Sequence, residues 1–368
     1  MQIIKASRDA ILKPLQTVAG IVEKRHTLPI LANVLIRKEG EVVSFTGTDI
    51  EMQVQTRASV GSGDESSAVT VSARKLIDIL RALPEGEVTV DLNANKLSLK
   101  SGKSRFALQT LPAADFPTLS TQTEVTSEAT LPQKRLRHLL QMVHFAMAQQ
   151  DIRYYLNGLL LVTDHDAVRV IATDGHRLAY CHTVVEGAQL ARNEVIIPRK
   201  TVLELQRLLG DTDEPVQIDV AANQVRVRFG DVEMLSKLVE GKFPDYNRVI
   251  PRNHKNALVL GRAPLLAALQ RAAILTSEKF KGVRVNLEPG VLRIASSNAE
   301  QEEAKEELEV DYEGDAIDIG FNVTYLIDVL ANVSHEMVKI ELQDSSASAL
   351  LTVPDRPGFK YVVMPMRI

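Results

Sequence analysis

The chain has 368 residues, of which 45% are hydrophobic, and a formal net charge of −4. This length exceeds one ordinary domain and predicts two or three, each large enough to bury its own core. No apolar stretch approaches the roughly 18 to 20 residues of a membrane-spanning helix, and Met1–Lys5 lacks the apolar region of a signal peptide. We therefore expect a cytoplasmic protein with no membrane partner. The single cysteine, Cys181, excludes an internal disulfide, and its apolar neighbours favour a structural thiol.

Six helical stretches are predicted, with strand-like runs of alternating apolar residues between them. Leu136, Leu139, Leu140 and Val143 have the spacing of a helix with one buried face, and Asn322 is a plausible helix-start residue. In chain order the stretches are 7–25, 72–83, 132–150, 197–209, 261–275 and 322–333.

The same pattern occurs three times, with a shift of about 125 residues between copies. Thr48-Asp49 recurs as Thr173-Asp174 and, more loosely, as Ser297-Asn298, each time after an alternating apolar run. The segment Leu111–Pro117 is echoed by Val239–Asp245 at the end of the second copy. Three similar domains in one chain suggest an arc or a ring.

Positive charge is concentrated on the predicted helices, which hold 15 Lys and Arg residues against 5 Asp and Glu residues. The net charge alone would argue against a nucleic-acid-binding protein. If the helices of the three copies share one face, however, that face attracts phosphate while the acidic remainder repels it. The alternative is that these charges lie on separate solvated faces of unrelated helices.

Several long motifs spread over the whole chain resemble those of one family, the bacterial sliding clamp, which is the beta subunit of DNA polymerase III. They are Thr48–Met52, Arg153–Gly158, Ala172–Leu178, Gly241–Tyr246, Gly320–Val323 and Tyr361–Arg367. The resemblance implies an α+β fold of three repeated DNA-clamp domains, at 1–122, 128–249 and 254–368. It also implies a head-to-tail dimer that forms a six-domain ring, with helices lining the hole and sheets outside.

The resemblance places a dimer interface on two different patches. The first patch is basic and apolar, with Lys103, Arg105 and Phe106. The facing patch combines Ile274 and Leu275 with four acidic residues, Glu302, Glu303, Glu306 and Glu307. Opposite charges on such patches fix the register of a ring. Lys305 replaces an acidic residue common in the family, which should soften the attraction. The alternative for residues 302–307 is a solvated acidic face.

Positions that match DNA contacts of the family are Arg25, Gln150, Tyr154, Tyr155, Arg199 and Lys200. Their side chains suit contact with the phosphate backbone and offer no obvious code for base edges. An aromatic content of 4% and the absence of Trp argue against a stacking platform for single strands. Tyr154 and Tyr155 could instead pack in a core, but adjacent residues of a strand cannot both face one core.

A second functional surface implied by the resemblance is a peptide-binding groove beside the apolar, methionine-flanked end of the chain. Methionine is flexible and suits a pocket that accepts several partners. The matching positions are Leu156, Thr173, Gly175, His176, Arg177, Leu178, Pro244, Arg248, Val249, Ser348, Val362, Val363, Met364, Pro365, Met366 and Arg367. Asn247 replaces a common basic residue, which could tune affinity at the rim. The alternative is that Tyr361–Met366 is only a closing strand.

Catalytic motifs are incomplete in this sequence. Asp174 and His176 are accompanied by no nucleophile-elbow pattern, and Gly102-Lys103-Ser104 follows Leu97 where a phosphate loop requires glycine. A hairpin turn explains the latter better. His335-Glu336 lacks the second histidine of a zinc protease motif. We expect no enzyme activity, metal or cofactor.

The sequence thus predicts a processivity factor that encircles duplex DNA without sequence specificity, as a non-catalytic accessory subunit of the DNA polymerase III holoenzyme. Expected partners are double-stranded DNA, a second copy of the chain and a clamp loader. Further expected partners are replicative and translesion DNA polymerases and repair proteins that carry a clamp-binding peptide. The alternative from another class is an open nucleic-acid-binding scaffold that does not enclose DNA.

Overall fold

The computed structural model describes residues 1–22, 28–121, 124–277 and 279–368. The α-helices are α1 (Arg8–Ala19), α2 (Ala73–Ala82), α3 (Gln133–Val143), α4 (Arg199–Leu208), α5 (Tyr246–Val249), α6 (Arg262–Ala273) and α7 (Val323–Asn332). Short 3-10 helices cover Pro29–Ala32, Ala113–Asp115, His144–Ala146 and Tyr154–Leu156. Among the described residues, no helix is both long and apolar enough to span a membrane.

The strands are β1 (Gln2–Ser7), β2 (Asn33–Glu39), β3 (Val42–Thr48), β4 (Met52–Ser59), β5 (Ser67–Ser72), β6 (Glu87–Asn93), β7 (Lys96–Ser101), β8 (Ser104–Pro112), β9 (Val125–Pro132), β10 (Gly158–His165), β11 (Ala167–Thr173), β12 (Arg177–Val184), β13 (Leu190–Pro198), β14 (Pro215–Ala221), β15 (Gln224–Phe229), β16 (Val232–Lys237), β17 (Asn256–Gly261), β18 (Gly282–Glu288), β19 (Val291–Ser297), β20 (Glu303–Glu309), β21 (Ile317–Asn322), β22 (Met337–Leu342), β23 (Ala349–Val353) and β24 (Arg356–Val363).

The chain divides into two compact units. The first unit comprises Met1–Lys134 and Arg207–Leu238, and the second comprises Arg135–Gln206 and Val239–Ile368. Because the division follows the sheets rather than the sequence repeat, the domain boundaries predicted at 1–122, 128–249 and 254–368 stay a prediction.

The first unit is built on one antiparallel sheet of twelve strands, in the order β1-β6-β7-β8-β5-β2-β3-β4-β16-β15-β14-β9. Helix α1 buries Ile11, Leu15 and Val18 and packs on α2 and on strands β3 and β4. The hydroxyl of Ser7 accepts a hydrogen bond from the backbone N–H of Ala10, which caps the start of α1. Helix α1 thus turns one apolar stripe towards the sheet, while its charged residues Asp9 and Lys13 are exposed.

The second unit contains an eight-stranded sheet, β13-β10-β11-β12-β24-β23-β22-β17, and a four-stranded sheet, β20-β19-β18-β21. Helices α6 and α7 pack on each other, and Asn322 caps the start of α7, where its side chain accepts from the N–H of Thr324. The mixture of short helices and antiparallel strands confirms the α+β class. Asn322 is confirmed as a helix cap.

Each of the six predicted helical stretches contains an α-helix, but their lengths differ from the prediction. The stretch 132–150 forms an α-helix only to Val143, followed by a 3-10 turn at His144–Ala146. Gln150 has a φ of 55°, in the left-handed region that helices avoid. Tyr154 and Tyr155 lie on a 3-10 turn, so treating them as strand residues was wrong. The predicted end of the first helix, at 23–25, lies outside the described residues.

The repeated Thr-Asp landmark is the same turn in the first two copies. Oδ1 of Asp49 accepts from the N–H of Met52 at 2.7 Å, and Oδ1 of Asp174 accepts from the N–H of Arg177 at 3.1 Å. The turn requires a positive φ at its third position, which Ile50 adopts at 70° and Gly175 at 92°. The sequence repeat is therefore confirmed as a structural repeat at this point of the chain.

Candidate peptide groove, nucleic-acid-facing residues and sheet edges

An apolar cluster on one face of the eight-stranded sheet is the centre of the candidate peptide groove. Cross-strand partners place Leu160 beside Ile171, and Leu178 beside Val362. The buried members are Leu160, Val162, Ile171, Leu178, Ile196, Phe243, Leu350 and Val362. Half-buried side chains of Tyr155, Tyr180, Val239, Tyr246, Val249 and Ile250 pack against them. We call these residues the apolar groove cluster.

The structure places only some of the predicted groove residues in this cluster, namely Leu178, Val249 and Val362. Leu156 and Thr173 are buried close by in the chain without belonging to it. Val363 follows Val362 on β24 and therefore faces the opposite side of the sheet. There it lines an apolar cavity with Leu351 and Phe321, away from the apolar groove cluster.

The predicted rim residues are exposed or half-buried. Pro244 and Arg248 are exposed, and Nε of Arg248 pairs with Asp245 at 3.1 Å. Asn247 donates its backbone N–H to Oδ1 of Asp245 at the start of α5. Ser348 is half-buried, and its carbonyl oxygen lies 2.8 Å from Nε2 of His254.

The chain end after β24 is fixed to the rest of the second unit by its backbone. The N–H of Met364 donates to the carbonyl of His176 at 3.0 Å, and that of Met366 to the carbonyl of Gly320 at 2.7 Å. Gly320 has no side chain, and a Cβ there would overlap the carbonyl oxygen of Met366 and the side chain of Ile368. The Met364 side chain stays 45% exposed, while Pro365 is half-buried and Arg367 is exposed. Tyr361–Val363 thus belongs to strand β24 between β12 and β23, and the residues after it lie outside the sheet. Their place in a peptide groove stays a prediction.

Arg177 is held by contacts within the chain. Its guanidinium pairs with Asp174 at 3.1 Å and with Asp328 at 2.6 Å, and its side chain is only 9% exposed. The same group lies 4.5 Å from the ring centroid of Tyr325, on which His176 stacks. Burial opposes the charge, but Tyr361, Asp328 and Asp174 raise the pKa of Arg177 above its ordinary value. This guanidinium therefore ties β12 to neighbouring side chains, and its predicted contact with a bound peptide stays a prediction.

Arg153 and Asp151 lie beside the candidate sites and were not among the predicted site residues. Two nitrogens of Arg153 donate to the carboxylate of Asp151 at 3.0 and 2.8 Å, and Nη2 also donates to the carbonyl of Asp174 at 3.1 Å. Hydrogen bonds from the side chain and backbone of Arg153 lower the pKa of Asp151 to about 2. A Cβ at Gly175 would lie 2.9 Å from Nη1 of Arg153. Because Gly175 has no side chain, the guanidinium of Arg153 can lie against the turn without a clash.

The sequence contained a signal for Asp328, although not for its partner. Asp328 is the only charged residue of the predicted helix 322–333. A lone charge in an apolar helix indicates a specific partner, since an unpaired buried carboxylate is costly. Nothing in the sequence spacing says that this partner is Arg177, which lies 151 residues away.

The described DNA-binding candidates fall on one open pocket and the turn beside it. Gln150 and Arg199 line a cavity of about 700 Å³, together with Arg153 and Arg177. Burial, and then the charge of Arg177, lower the pKa of Arg199. Lys200, the next residue, is exposed. Arg25 lies outside the described residues.

Tyr154 and Tyr155 belong to different surfaces. Tyr154 is 59% exposed, whereas Tyr155 packs on the apolar groove cluster. Their rings meet edge to face, with centroids 6.1 Å apart. The turn therefore connects the candidate nucleic-acid contact to the candidate groove.

Several strands in the described part of the chain have an open edge, and β8 and β20 are two of them. Strand β8 pairs with β7 over Ser104–Gln109 but with β5 only over Thr110–Pro112, so its first half is open on one side. Strand β20 pairs only with β19 and ends the four-stranded sheet. Of the predicted interface residues, Arg105 and Phe106 lie on β8 directly after Lys103, and Glu303, Glu306 and Glu307 lie on β20 directly after Glu302. Lys103 and Arg105 are exposed at the start of β8, where Phe106 is 36% exposed.

The facing patch has an apolar part and an acidic part. Ile274 is 76% exposed directly after α6, and Leu275 is half-buried. The acidic side chains already have partners in the chain. Glu306 pairs with Arg271 at 2.6 Å, Glu307 with Arg293 at 3.0 Å, Glu303 with Lys305 at 2.9 Å, and Glu302 accepts from Asn298. Lys305 thus neutralises one of the four acids.

The features considered for catalysis have structural explanations. Asp174 accepts from the backbone N–H groups of His176 and Arg177, so its carboxylate shapes the turn. Gly102 has a φ of 55° between the paired residues Ser101 and Ser104, which confirms the hairpin turn. Burial raises the pKa of Cys181 to about 12, as expected of a structural thiol. No group of three His, Cys, Asp or Glu side chains in the described ranges could hold a metal ion.

Comparisons with known proteins cover the full length of the chain. Models of the DNA polymerase III beta subunit match in three parts, the N-terminal domain at residues 1–120, the central domain at 130–245 and the C-terminal domain at 247–367. The beta sliding clamp of Proteus mirabilis is 48% identical over 364 residues, and that of Escherichia coli K12 is 47% identical over 363 residues. Each alignment covers 98% of this chain and 98% of the relative.

Solved structures agree with the sequence matches. The DNA polymerase sliding clamp of Pseudomonas aeruginosa, crystallised with a ligand, superimposes with a TM-score of 0.96 at 46% identity and covers 100% of both chains. The Caulobacter crescentus pol III beta structure superimposes with a TM-score of 0.93 at 37% identity, again over 100% of both chains. The chain therefore belongs to the family of DNA polymerase III beta subunits, the bacterial sliding clamps.

Proposed function

We propose that two copies of this DNA polymerase processivity clamp close head to tail into a ring around duplex DNA. The observation that carries the ring is that β8 and β20 both have an open edge and carry opposite charges, basic on β8 and acidic on β20. An exposed edge is a template for pairing with another chain. Because the two patches differ, each copy offers one of each, and such heterologous contacts close into a ring when the rotation permits.

Apolar contact supplies most of the stability of the proposed interface. Removing Phe106 and Ile274 from water should contribute about 1–2 kcal/mol each, since both are only partly covered in the single chain. The acidic residues of β20 must share or exchange their present partners, Arg293 and Lys305, to reach Lys103 and Arg105. Exposed ion pairs are weak and screened by salt, so this exchange costs little and sets register rather than affinity.

DNA binding is proposed to rest on backbone contacts without sequence readout. Gln150, Tyr154, Arg199 and Lys200 can donate to phosphate oxygens, and the nearby Arg177 adds to the positive potential. Such contacts weaken steeply with salt, whereas enclosure by a closed ring does not. An open scaffold would therefore lose all its DNA at high salt, and a ring would not.

The apolar groove cluster is proposed to hold short apolar peptides of replication and repair proteins. Leu178 and Val362 offer a buried floor, and the exposed Met364 offers a flexible rim. The proposed partners are a clamp loader, replicative and translesion DNA polymerases, and repair proteins that carry such a peptide. In this role the chain is a non-catalytic accessory subunit of the DNA polymerase III holoenzyme and works in the cytoplasm.

Site-specific cross-linking tests the proposed ring. Cys181 is buried, with a pKa raised to about 12, so introduced cysteines would react selectively. With a short bismaleimide, a mixture of Ala107→Cys and Lys305→Cys chains should give dimers. Each variant alone should give none, because β8 meets β20 and never another β8. Dimers of the Ala107→Cys variant alone would instead indicate a symmetric, non-ring contact.

A further inference from the structure

The three-strand arrangement β10-β11-β12, which carries much of the apolar groove cluster, occurs a second time in the first unit. We call each such arrangement a frame. Strands β2, β3 and β4 pair in the same register as β10, β11 and β12, so that Leu35, Thr46 and Gln55 form one cross-strand row. The matching row of the second unit is Leu160, Ile171 and Tyr180. The positions that correspond between the frames are Leu35 with Leu160, Arg37 with Val162, Thr46 with Ile171, Gln53 with Leu178, Gln55 with Tyr180, Arg57 with His182, and Leu235 with Val362.

The second frame encloses a cavity with different chemistry. Its volume is about 590 Å³, and it is lined by residues of β2, β3 and β4 and by Thr118. Only Leu35 provides a buried apolar floor, beside the buried Thr46 and Gln53. Where the apolar groove cluster has Ile171, Leu178 and Tyr180, this cavity has hydroxyl and amide groups. We call it the polar groove.

Hydrogen bonds fix the polar side chains of the floor. Oε1 of Gln53 accepts from the backbone N–H of Leu119 at 2.9 Å, and Nε2 of Gln55 donates to Oγ1 of Thr46 at 3.2 Å. The first bond ties the segment after Phe116, which is 5% exposed, to the strand floor. The polar groove is therefore preformed and needs no rearrangement to accept an extended chain.

Two arginines border the polar groove and have no carboxylate partner in the part of the chain that the structure describes. Arg37 and Arg57 flank Ser44 in one cross-strand row, and both are exposed. Neighbouring strands lie about 4.8 Å apart, so the two residues are separated by roughly 10 Å. Glu39 lines the same cavity but forms no ion pair with either guanidinium. Two open cations beside a small apolar floor are complementary to carboxylates on a short peptide.

We propose that the polar groove binds an extended acidic segment of a partner protein. One apolar side chain of the segment covers Leu35, and its carboxylates pair with Arg37 and Arg57. Side chains on one face of an extended peptide recur about every 6.6 Å, which long guanidinium arms can span from two strands. A single-stranded nucleic acid fits less well, because the lining has no aromatic ring on which a base could stack. This binding is independent of the apolar groove cluster and of ring closure.

Peptide titration with the full chain tests this assignment. The probe is a fluorescein-labelled peptide of alternating leucine and aspartate, followed by fluorescence anisotropy at low salt. Binding should weaken by about tenfold or more in the double variant Arg37→Glu/Arg57→Glu, since two charge-assisted contacts become repulsive. The matched control Arg252→Glu changes an exposed arginine outside the groove and should bind like the unaltered chain.

Two further titrations distinguish an acidic peptide from other possible ligands of the polar groove. A peptide of alternating leucine and lysine should not bind, and an apolar peptide should not displace the acidic one. Equal affinity of the double variant and the unaltered chain would overturn the proposal. So would displacement of the acidic peptide by the apolar peptide, or tighter binding of a single-stranded oligonucleotide to the same arginines. Unchanged melting temperatures of all variants establish that folding is not the cause of any loss.

Discussion

Nη1 of Arg177 lies 2.6 Å from Oδ2 of Asp328, a pairing that joins β12 to α7 across 151 residues of sequence. Arg177 was predicted to contact a bound peptide, but its guanidinium is also taken up by Asp174 and Tyr325. We infer that the pair positions β12, whether or not Arg177 also contacts a bound peptide. Leu178, the next residue, points into the apolar groove cluster and depends on that placement.

Asp328→Asn should therefore weaken binding of a short apolar peptide several-fold although Asp328 is no member of the groove cluster. Losing one of two carboxylates leaves a nearly buried guanidinium partly uncompensated, so the melting temperature should also fall by a few degrees. Peptide anisotropy and thermal melts measure both effects. The control Glu288→Gln breaks an exposed pair with Arg293 and should change neither quantity noticeably. Unchanged peptide affinity in Asp328→Asn would refute the positioning role.

Replacing Ile274 and Leu275 together with Ala should convert the dimer to monomers. The change removes the apolar part of the patch beside β20 while leaving the acidic residues and their local partners unchanged. Sedimentation at low protein concentration distinguishes the two states. Val259→Ala shortens another exposed hydrophobic residue, on β17, and should leave the dimer intact. Persistence of the dimer in the double variant would show that the interface lies elsewhere.

Deleting Met364–Ile368 should abolish binding of the apolar peptide and leave the ring intact, because the tail borders the groove and not the open edges. Gly320→Ala is a finer change that removes no groove atom. Its Cβ would overlap the carbonyl of Met366 and displace the tail, so peptide affinity should again fall. Gly210→Ala is the control, since a Cβ there meets its neighbours only at ordinary contact distance, 3.5 Å or more. If peptide titrations are the same for all three variants, the tail is not part of the groove.

Cys181 should resist thiol reagents in the native state and react fully once the chain unfolds. Burial raises its pKa to about 12, so almost no thiolate exists at pH 8 in the folded protein. The raised pKa also fixes how the free energy of unfolding depends on pH. The contribution of this thiol to stability is present below its unfolded pKa of about 8.5 and declines as pH rises towards 12. Colorimetric thiol titration with and without denaturant measures the first effect. Rapid native labelling at pH 8 would contradict the buried placement.

Features that depend on local sequence were predictable. The six helical stretches follow apolar spacing, Asn322 caps α7, and the Thr-Asp landmark marks the same turn in two copies. These depend on neighbouring residues, whose chemistry a sequence displays directly. The helix predicted to reach Gln150 ends at Val143, and Tyr155 further along the chain packs on the apolar groove cluster. Tertiary contacts of this kind are not visible in local helix propensity, so the helix end could not be predicted.

Contacts between residues that are distant in the sequence could not be predicted from it. Three contacts join segments that are far apart in the sequence and meet only in the folded chain. They are the Arg177–Asp328 pair, the contact of Arg153 with the turn at Gly175, and the hydrogen bond of the tail to Gly320. The opposite facing of Val362 and Val363 follows from strand alternation once β24 is known to continue through both. Family motifs placed both residues at the groove, but only the backbone geometry separates their roles.

Topological retention tests the ring most directly. The protein is loaded with a clamp loader onto a nicked circular plasmid, loading is verified, and the bound fraction is measured at high salt before and after the plasmid is linearised. A closed ring predicts retention on circles and loss from linear DNA, because enclosure persists when phosphate contacts are screened. Equal, salt-sensitive loss from circular and linear DNA would contradict enclosure and favour an open scaffold.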